Sequence, residues 1–292
     1  MDHSPPEVGV VIVNFNGGEV VIDCLESVLA SNLPLRVAVA DNASTDGSLE
    51  RIRRRFPDES RLQVVANPSN LGFAAGANRA LQQLPPGLPW LLFLNPDCRI
   101  EPDTLARMLA ALKTRPGVGM AGCLITGADG REQRGCRRRE PTPGRALRTL
   151  LPFSRGRGGV NQLGEVLPDR PVTVDAISGA FMLVRREALR DVGSMDEGYF
   201  LHCEDLDWCK RFRQRGWEIL FVPDVRITHL KGASSASRPV RVEWHKHRGM
   251  ARYYRKFFSG DHPFYQLWAI QAAVWLRFAL LLPVLWLRRS RR

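Results

Sequence analysis

With 292 residues, of which 44% are hydrophobic and 25% charged, the chain has the composition of a folded protein and not of a disordered one. Its net charge of +12 comes from the C-terminal part, because residues 226–292 hold 14 Lys and Arg against 2 Asp and Glu, whereas the first 225 residues are balanced. A basic tail on a neutral main domain argues against a nucleic-acid enzyme, whose catalytic domain would itself be basic.

The N-terminus and the cysteines indicate a reducing, cytosolic environment. We expect no secretory signal, because residues 1–7 are polar and the next apolar run, Val8–Val13, is too short for a signal core. The six cysteines are scattered, with no pair at the spacing of a zinc finger or a redox motif. In a chain of this size we therefore expect reduced thiols instead of a disulfide framework.

The first half of the chain alternates short apolar runs with amphipathic stretches. Strands are predicted at Val8–Val13, Leu35–Ala40, Leu62–Ala66 and Trp90–Leu94, and helices at Glu19–Ala30, Ser44–Phe56 and Gly72–Leu84. Continuous apolar strands of this length are typical of a sheet that is covered on both faces. The alternation therefore predicts a doubly wound, mostly parallel α/β sheet with helices on both faces.

The loops at the carboxyl ends of these strands should converge on one ligand crevice. They are Asn14–Gly18, Asp41–Asp46, Asn67–Gly72 and Asn95–Cys98. The Asp41 carboxylate can accept the ring N–H of a uracil or thymine, and Asp97 can hold a Mg²⁺ or Mn²⁺ that bridges a diphosphate. Structural explanations also exist: Ser44 or Asp46 could cap a helix, and Asn95-Pro96-Asp97 could be a simple turn.

Residues 127–171 interrupt the regular pattern and are rich in Arg, Gly and Pro. The basic run Arg134–Arg139 within this excursion predicts a mobile, solvated surface segment, with a dedicated binding patch as the alternative. The regular pattern then resumes. Strands are predicted at Val172–Ala176, Ala180–Val184, Glu218–Val222 and Val225–Leu230, and a helix from Glu204 to Gly216.

A dense carboxylate cluster lies at the predicted start of that helix. Glu204, Asp205 and Asp207 fall within four positions, between large apolar residues. If the helix begins at Glu204, then Asp207 can pair with Arg211 one turn later. Asp205 points about 100° away from Glu204 and is free to face the crevice. The helix dipole favours acidic residues at an N-terminus, but it accounts less easily for all three carboxylates.

The C-terminal tail predicts a helix at a membrane surface. A basic aromatic segment, Trp244–Phe258, precedes the apolar stretch Leu267–Leu287, which as a helix would be about 31 Å long, enough to cross a bilayer. Arg277 at its centre would cost about 2.5–3.5 kcal/mol on insertion, and Pro283 would kink the helix. Because both flanks are basic, we predict a helix that lies in the membrane surface instead of spanning it. A buried helix of a soluble protein is the alternative.

A series of short segments matches a known pattern in its order and spacing. In chain order the segments are Val13–Asn16, Asp41–Gly47, Asn67–Asn78, Asn95–Asp97, Ser178–Phe181, Phe200–Asp207, Gly216–Trp217 and Ile227–His229. Each is unspecific alone, but together they cover residues 8–235. In these segments the chain resembles the family 2 glycosyltransferases, and among them the bacterial rhamnosyltransferase-like branch that acts on cell-surface polysaccharides.

The resemblance implies a GT-A type fold that binds a nucleoside diphosphate sugar. The residues implied for binding it are Asn14, Asn16, Asp41, Asn42, Ser44, Asn70, Gly72, Asn78 and Asn95. Asp97 corresponds to the last carboxylate of the family's Asp-X-Asp motif and, together with His229, would hold a divalent cation, Mg²⁺ or Mn²⁺. Asn95 stands at the first position of that motif, which leaves fewer anionic ligands. A histidine satisfied within a strand is the structural alternative for His229.

The resemblance also implies an inverting reaction with a single general base, Asp205. This carboxylate would take the proton of an acceptor hydroxyl while that oxygen attacks the anomeric carbon opposite the diphosphate. The residues implied for the acceptor pocket are Ser178, Gly179, Glu204 and Trp208. Tight packing of small residues is an equally good explanation of Ser178 and Gly179.

The predicted activity is therefore the transfer of a sugar, in the first place rhamnose from dTDP-rhamnose, to a hydroxyl of a lipid-linked or cell-surface polysaccharide acceptor. Galactofuranose, glucose and galactose are the alternative sugars. The expected partners are a dTDP- or UDP-sugar, the lipid-linked glycan and a membrane surface, but no nucleic acid. The expected location is the cytoplasmic face of the bacterial inner membrane.

The predicted organisation is a catalytic domain over residues 1–240 and a membrane-associating tail over residues 241–292. Two other functional classes were weighed. A sugar-1-phosphate nucleotidyltransferase would need a basic residue in the N-terminal loop, where Val13–Gly18 offers only Asn, Phe and Gly beside its first valine. A non-catalytic membrane scaffold would not need Asp97, Asp205 and His229.

Overall fold

The computed structural model describes residues 8–145, 159–230, 239–260 and 263–289. The strands are β1 (Val8–Asn14), β2 (Leu35–Asp41), β3 (Leu62–Ala66), β4 (Trp90–Leu94), β5 (Cys98–Arg99), β6 (Val118–Thr126), β7 (Arg137–Arg138), β8 (Val172–Thr173), β9 (Ala176–Ile177), β10 (Phe181–Arg185) and β11 (Glu218–His229). The helices are α1 (Val20–Leu29), α2 (Ser48–Arg55), α3 (Phe73–Leu81), α4 (Thr104–Lys113), α5 (Arg186–Val192), α6 (Glu204–Gln214), α7 (Pro239–Phe258) and α8 (Phe264–Arg289).

The first four strands form the parallel half of a large central sheet, as predicted. The strand order is β3-β2-β1-β4-β10-β6-β11-β5, with β8 paired to β11. β1 pairs in parallel with β2 and β4, and every residue of β1 is buried, which explains its unbroken apolar sequence. This register places Asn14 opposite Asp41 at the carboxyl ends of β1 and β2.

The second half of the sheet is mixed. β10 runs antiparallel to both of its neighbours, β4 and β6, whereas β6 and β11 are parallel. The α/β fold is therefore confirmed, but the prediction of a mostly parallel sheet holds only for the N-terminal half. The antiparallel β10 places the segment before it beside the end of β4, where the Asn95 N–H donates to the Ala180 carbonyl at 3.0 Å.

Two elements between residues 100 and 126 were not predicted from the sequence. They are α4 and β6, and β6 is buried along its whole length. Small residues such as Gly122 make the sequence of β6 less apolar than that of the other buried strands, which is why the strand was not predicted. Packing requires the glycine at this position, because a Cβ at Gly122 would lie 2.9 Å from the Ile177 side chain.

The structure also corrects two strand predictions. Glu218–Val222 and Val225–Leu230 form one strand, β11, whose register against β6 shifts between Val222 and Arg226. Pro223 lies at this irregularity, where it has no N–H to donate to a ladder. The run predicted as one strand at Val172–Ala176 is divided between the short strands β8 and β9.

The described part of the excursion packs against the domain. β7 pairs antiparallel with β9. Arg137 is only 4% exposed and lies 3.0 Å from Glu132, and Arg139 lies 2.6 Å from Glu165. The prediction of a solvated basic run is therefore wrong for these arginines, because each has a carboxylate partner. Residues 146–158 of the excursion lie outside the described part of the chain.

The C-terminal tail consists of two packed helices. α7 is held to the preceding domain by Lys256, which lies 2.6 Å from Asp196 and 2.7 Å from Asp207. Packing thus continues across residue 240, where the sequence analysis divides the chain, and the division itself stays a prediction. α8 packs on α7, where Gln271 Nε2 donates to the Ala251 carbonyl at 2.8 Å.

All six cysteines are free, as predicted, and all six are buried. Burial raises the pKa of the Cys136 and Cys209 thiols to about 12, so both thiols are protonated at neutral pH.

Candidate active site

A cavity of about 1230 Å³ is lined by the loops after β1, β2 and β4 and by residues of α7 and α8. Ligand pockets of single small molecules typically measure roughly 300–1,000 Å³, so this cavity has room for two substrates. Asp97, Asp205 and His229 all line it. The structure therefore brings together the three residues on which the predicted chemistry depends.

Asp97 and His229 form one side of the site. His229 Nε2 lies 3.0 Å from Asp97 Oδ1, and Nδ1 lies 2.9 Å from Gln133 Oε1. The Gln133 amide is oriented by its Nε2, which donates to the His229 carbonyl at 2.6 Å. Since the Gln133 oxygen can only accept, His229 Nδ1 carries the hydrogen and Nε2 of a neutral ring presents a lone pair to Asp97.

This arrangement fits a divalent cation. A lone pair that faces a carboxylate oxygen at 3.0 Å requires a proton or a metal ion between them. Carboxylate oxygen and imidazole nitrogen are suitable ligands for Mn²⁺, and the hydrogen bond of the second ring nitrogen is typical of a metal-ligating histidine. Cys98 lies within the same group of ligand atoms. Burial keeps the pKa of its thiol well above the ordinary value, so Cys98 is a poor ligand.

Asp205 lies at the start of α6, after two strained residues. His202 and Cys203 have φ values of 67° and 72°, a left-handed conformation that costs non-glycine residues about 1–2 kcal/mol each. The turn directs the first residues of α6 towards the cavity. Asp205 Oδ2 accepts the Gly179 N–H at 3.0 Å, and Oδ1 accepts the Leu206 N–H at 2.8 Å.

Arg138 is a site residue that the sequence analysis missed. Its guanidinium donates to Asp205 Oδ2 at 2.6 Å. Burial by itself would raise the pKa of Asp205, but the charge and hydrogen bond of Arg138, with the Gly179 and Leu206 N–H groups, hold that pKa below its ordinary value. No periodicity in the Arg-rich run distinguishes Arg138 from its neighbours, so the sequence carried no signal for this contact.

Glu204 has the opposite electrostatic character. It is 7% exposed and lines the cavity, and its Oε2 has no hydrogen-bond partner among the described residues. Burial, together with the neighbouring Asp205 charge, raises the pKa of Glu204 to about 8. The pKa values of the two adjacent carboxyl groups are therefore shifted in opposite directions: burial favours the neutral form of Glu204, and Arg138 favours the anion of Asp205.

Asn14, Asp41 and Ser44 form a polar network, in which the buried Asn14 Oδ1 has no hydrogen-bond partner among the described residues. Asn14 Nδ2 lies 2.7 Å from Asp41 Oδ1, and the Ser44 hydroxyl donates to the same oxygen at 2.6 Å. Asn14 and Asp41 have no exposed surface. In this structure the two side chains bind one another, and their direct contact with a nucleoside stays a prediction.

Further residues extend this network. Asn16 accepts the Thr45 N–H at 2.8 Å, and its own N–H donates to the Ser44 hydroxyl at 3.0 Å. Neither Asn16 nor Ser44 lines the cavity, and their direct contact with the donor stays a prediction. Asp46 accepts the Ser48 N–H at 3.0 Å, but the N-cap residue of α2 is Gly47, not Asp46 or Ser44.

Four of the residues predicted for donor binding do line the cavity, namely Asn42, Asn70, Gly72 and Asn95. Asn42 Nδ2 donates to the Gly72 carbonyl at 3.0 Å. Gly72 has a φ of 84°, and a Cβ there would collide with the Phe200 backbone. The close approach of Gly72 thus joins the donor loop to the segment that carries Asp205.

The family of the chain follows from its match to a family model. The model described as "Glycosyltransferase like family 2" matches residues 5–243. The chain belongs to this glycosyltransferase family. The match covers every residue of the site except those contributed by α8 and by the part of α7 beyond residue 243.

Curated relatives agree with the family. This glycosyltransferase is 30% identical over 308 residues to the N-acetylglucosaminyl-diphospho-decaprenol L-rhamnosyltransferase of Mycobacterium tuberculosis. The alignment covers 97% of this chain and 95% of the relative. A shorter similarity, 41% identity over 56 residues, relates 19% of this chain to 21% of the rhamnosyltransferase WbbL of Escherichia coli.

Solved structures show the same fold at low identity. The mannosyltransferase PcManGT of Pyrobaculum calidifontis, in complex with GDP-Man and Mn²⁺, has a TM-score of 0.60 at 19% identity, covering 96% of this chain and 73% of that one. S. aureus TarS, in complex with UDP-GlcNAc, has a TM-score of 0.58 at 17% identity, covering 92% and 71%. The glycosyltransferase thus has the predicted GT-A fold.

Two predicted site residues of the glycosyltransferase lie in its interior instead. Trp208 is fully buried, packs edge-on against Phe93 and donates its indole N–H to the Gly193 carbonyl at 2.9 Å. Asn78 Nδ2 donates to the Met195 carbonyl at 2.9 Å and thereby ties α3 to the chain before α6. Neither side chain lines the cavity in this structure. Ser178, Gly179 and Glu204, the other residues predicted for the acceptor pocket, do line it.

α8 of the glycosyltransferase has two distinct apolar faces. One face lines the cavity through Gln266, Ala269, Ile270, Ala273, Val274 and Arg277. The other carries exposed large apolar side chains, including Trp268 at 75%, Leu276 at 61% and Leu280 at 68% exposed. This exposure contradicts a buried helix of a soluble protein. Within the described ranges, Phe264–Pro283 is the one segment long and apolar enough to cross a membrane.

Proposed function

We propose that this glycosyltransferase is an inverting, metal-dependent enzyme that transfers a sugar from a nucleoside diphosphate sugar to an acceptor hydroxyl. One observation carries the proposal: an ionised carboxylate, Asp205, and the ligand pair Asp97 and His229 line the same cavity. The first suits deprotonation of a nucleophile, and the second suits the site of a departing diphosphate.

Asp205 acts as the base. Oδ2 accepts hydrogen bonds from Arg138 and Gly179, while Oδ1 accepts only the Leu206 N–H among the described residues, so a lone pair of Oδ1 is free to take a proton. The acceptor oxygen forms a bond with the anomeric carbon while the bond from that carbon to the diphosphate oxygen breaks. The proton moves to Asp205, and the electron pair leaves with the diphosphate.

Asp97 and His229 would hold the divalent cation, with Mg²⁺ and Mn²⁺ as the two candidates. When bound, the cation supplies Lewis-acid stabilisation of the charge on the departing diphosphate. Gln133 keeps His229 in the tautomer that presents Nε2 to the ligand position, through its contact at 2.9 Å with Nδ1. The Mn²⁺ in the PcManGT complex supports the same class of ion.

For the donor, we propose rhamnose from dTDP-rhamnose, with galactofuranose, glucose and galactose as alternatives. The name of the mycobacterial relative, an L-rhamnosyltransferase, supports this choice. Asn42, Asn70, Gly72 and Asn95 are the proposed contacts of the donor within the cavity. Family membership favours this function over the nucleotidyltransferase and the scaffold weighed above.

For the acceptor, we propose a lipid-linked glycan, reached at a membrane surface. The relative is named for an N-acetylglucosaminyl-diphospho-decaprenol acceptor, and the apolar wall that α8 gives to the cavity suits an aliphatic chain. The exposed apolar face of α8 supports peripheral attachment to the cytoplasmic face of the inner membrane. Large exposed apolar patches mark such contacts.

A transfer assay with the purified full chain tests this proposal. Wild-type protein with Mg²⁺ or Mn²⁺ is offered dTDP-rhamnose, UDP-galactose, UDP-glucose and UDP-galactofuranose together with a lipid-diphosphate-linked N-acetylglucosamine. We expect transfer from dTDP-rhamnose, with the anomeric configuration of the product opposite to that of the donor by NMR. A product that retains the donor configuration, or equal transfer after chelation of all divalent ions, contradicts the proposal. A variant with the exposed Asp58 changed to Asn serves as the preparation control.

A further inference from the structure

Arg277 is the single charged residue of α8 between Phe264 and Leu287, and it lines the cavity. About 100° of rotation per residue places Trp268 and Trp286, nine positions before and after it, on the opposite side of the helix. Both tryptophans are exposed, at 75% and 67%. The positive charge is thus turned away from the proposed membrane surface and towards the substrates.

The neighbour of Arg277 is an uncharged histidine. Arg277 Nη1 lies 2.8 Å from His247 Nε2, while His247 Nδ1 lies 2.6 Å from the Glu243 carbonyl. A carbonyl oxygen only accepts, so Nδ1 carries the hydrogen and Nε2 accepts from the guanidinium. Burial lowers the pKa of His247, which keeps the ring neutral. His247 therefore orients Arg277 without neutralising it.

No carboxylate of the described ranges lies within ion-pair distance of Arg277. Arg241 of α7 also lines the cavity without an ion-pair partner among those ranges, and its guanidinium lies 5.9 Å from the centre of the Phe200 ring. Phe200 lies five residues before Asp205 and stacks on His245 at 4.4 Å. Two uncompensated guanidinium groups thus face a cavity that extends from Asp205 to an apolar helix face. Arg241 is exposed and Arg277 is partly exposed, so both guanidinium groups are accessible to an anion that enters the cavity.

We propose that Arg277, with Arg241, binds the diphosphate of the acceptor, whose aliphatic chain lies along the cavity face of α8. This subsite rests on the proposed lipid-linked acceptor. A guanidinium suits a phosphate because its donors form paired, charge-assisted hydrogen bonds. The apolar residues Ile270 and Val274, which precede Arg277 on the same face, suit an alkyl chain and not a nucleoside. The donor diphosphate is proposed for Asp97 and His229, which line the same cavity.

Binding of farnesyl diphosphate, measured by calorimetry with the full chain in detergent, tests the subsite without catalysis. We expect Arg277→Gln to weaken binding of farnesyl diphosphate about 10-fold or more, since a lost charge-assisted contact is worth about 1.5–3 kcal/mol. Binding of farnesol and of dTDP should stay unchanged. The glutamine amide can still donate to His247, and an unchanged melting temperature checks the fold. Arg255→Gln, an exposed arginine of α7 outside the cavity, is the matched control.

Each other outcome overturns the subsite. The subsite is wrong if Arg277→Gln binds farnesyl diphosphate as tightly as the wild type does, or if the wild type does not bind it. A matching loss of dTDP binding assigns Arg277 to the donor. If Arg277→Gln loses only its binding to vesicles of anionic phospholipid, Arg277 instead contacts membrane headgroups.

A transfer assay separates this inference from the proposed function. If the wild type transfers to the lipid-diphosphate acceptor and Arg277→Gln lowers that rate no more than the rate with a short alkyl glycoside, the subsite is wrong and the function stands. If Arg277-dependent binding is found but the wild type transfers no sugar to any lipid-linked acceptor, the function fails.

Discussion

Arg138 Nη2 lies 2.6 Å from Asp205 Oδ2, and the two side chains are only 11% and 14% exposed. The pair connects the Arg-rich excursion to the helix that carries the proposed base. A guanidinium at this distance favours the ionised carboxylate, which keeps Asp205 ready to accept a proton. It also makes Asp205 a weaker base, so the rate depends on the geometry of the pair as well as on its charge.

Arg138→Gln should impair catalysis and change its pH dependence. We expect kcat to fall about 10- to 100-fold, the size of effect that misplacement of a reacting group produces. Without the guanidinium the pKa of Asp205 rises, so the acid limb of the kcat/KM profile should move to higher pH. The measurement is the pH profile of transfer for the wild type, Arg138→Gln and Arg138→Lys.

The charge-preserving variant separates position from charge. Arg138→Lys should keep the acid limb near its wild-type pH and lose rate through poorer geometry. Because the pKa of Asp205 is depressed in the folded protein, the pair contributes stability above the ordinary carboxyl pKa and loses it as the pH falls through the folded value. An acid limb that is identical in all three proteins would show that Arg138 does not act on Asp205.

Glu204→Gln should stabilise the protein at neutral and alkaline pH. The folded state holds the Glu204 proton up to a pKa of about 8, whereas an unfolded chain releases it near the ordinary value of 4.5. The wild type therefore loses stability as the pH rises through this window, by up to about 1.4 kcal/mol per pH unit, and the glutamine removes the loss. Denaturant unfolding of the wild type and of Glu204→Gln at pH 5 and pH 8 measures the difference in their free energies of unfolding. A stability difference that is equal at the two pH values would mean that Glu204 is not protonated in the fold.

Asp97→Asn and His229→Gln should each weaken binding of Mn²⁺ by the folded protein. Gln133→Ala leaves both ligands in place but frees the His229 ring, so we expect a smaller loss of about 10- to 100-fold, as for other partners of metal-bound histidines. Calorimetric titration of Mn²⁺ in the presence of dTDP gives the three affinities. Cys98→Ser should bind Mn²⁺ as the wild type does, because the buried thiol is not a proposed ligand. Unchanged affinity in Asp97→Asn would remove Asp97 from the metal site.

The exposed face of α8 should govern attachment to membranes. Replacing Trp268 and Leu276 with serine removes two large exposed apolar side chains, each worth about 1.5–3 kcal/mol when buried. We expect sedimentation with phospholipid vesicles to fall at least 10-fold, while transfer to a short alkyl glycoside stays unchanged. Val166→Ser, which changes another highly exposed apolar residue, should sediment as the wild type does. Undiminished sedimentation of the double variant would exclude this face as the membrane contact.

Short-range patterns predicted much of the fold and several residues that line the cavity. The buried parallel strands read as apolar runs, and Asp97 and Asp205 stand at element boundaries that a pattern can locate. The Asp207–Arg211 pair, expected from helical spacing, is present at 2.7 Å. Such features can be predicted because they depend only on residues that are close together in the sequence.

Contacts between distant segments could not be predicted in this way. Gln133 and Arg138 reach the site from an excursion without periodicity, and only tertiary packing selects them among several similar polar residues. Trp208 shares a helix face with Glu204, but the same spacing is compatible with a face directed at the core, which the contact of Trp208 with Phe93 shows to be the case. A helical period gives the angle between residues and does not say where the helix faces.

The most direct test of the account is the comparison of Asp205→Asn with the wild type in one transfer assay, with donor affinity measured in parallel. Asparagine keeps the size of the side chain and removes its ability to accept the hydroxyl proton. We expect kcat to fall about 10²- to 10⁴-fold, the range for loss of a general base, while the dissociation constant of dTDP with Mn²⁺ changes less than about threefold. Transfer by Asp205→Asn at more than a tenth of the wild-type rate would contradict the assignment of Asp205 as the base.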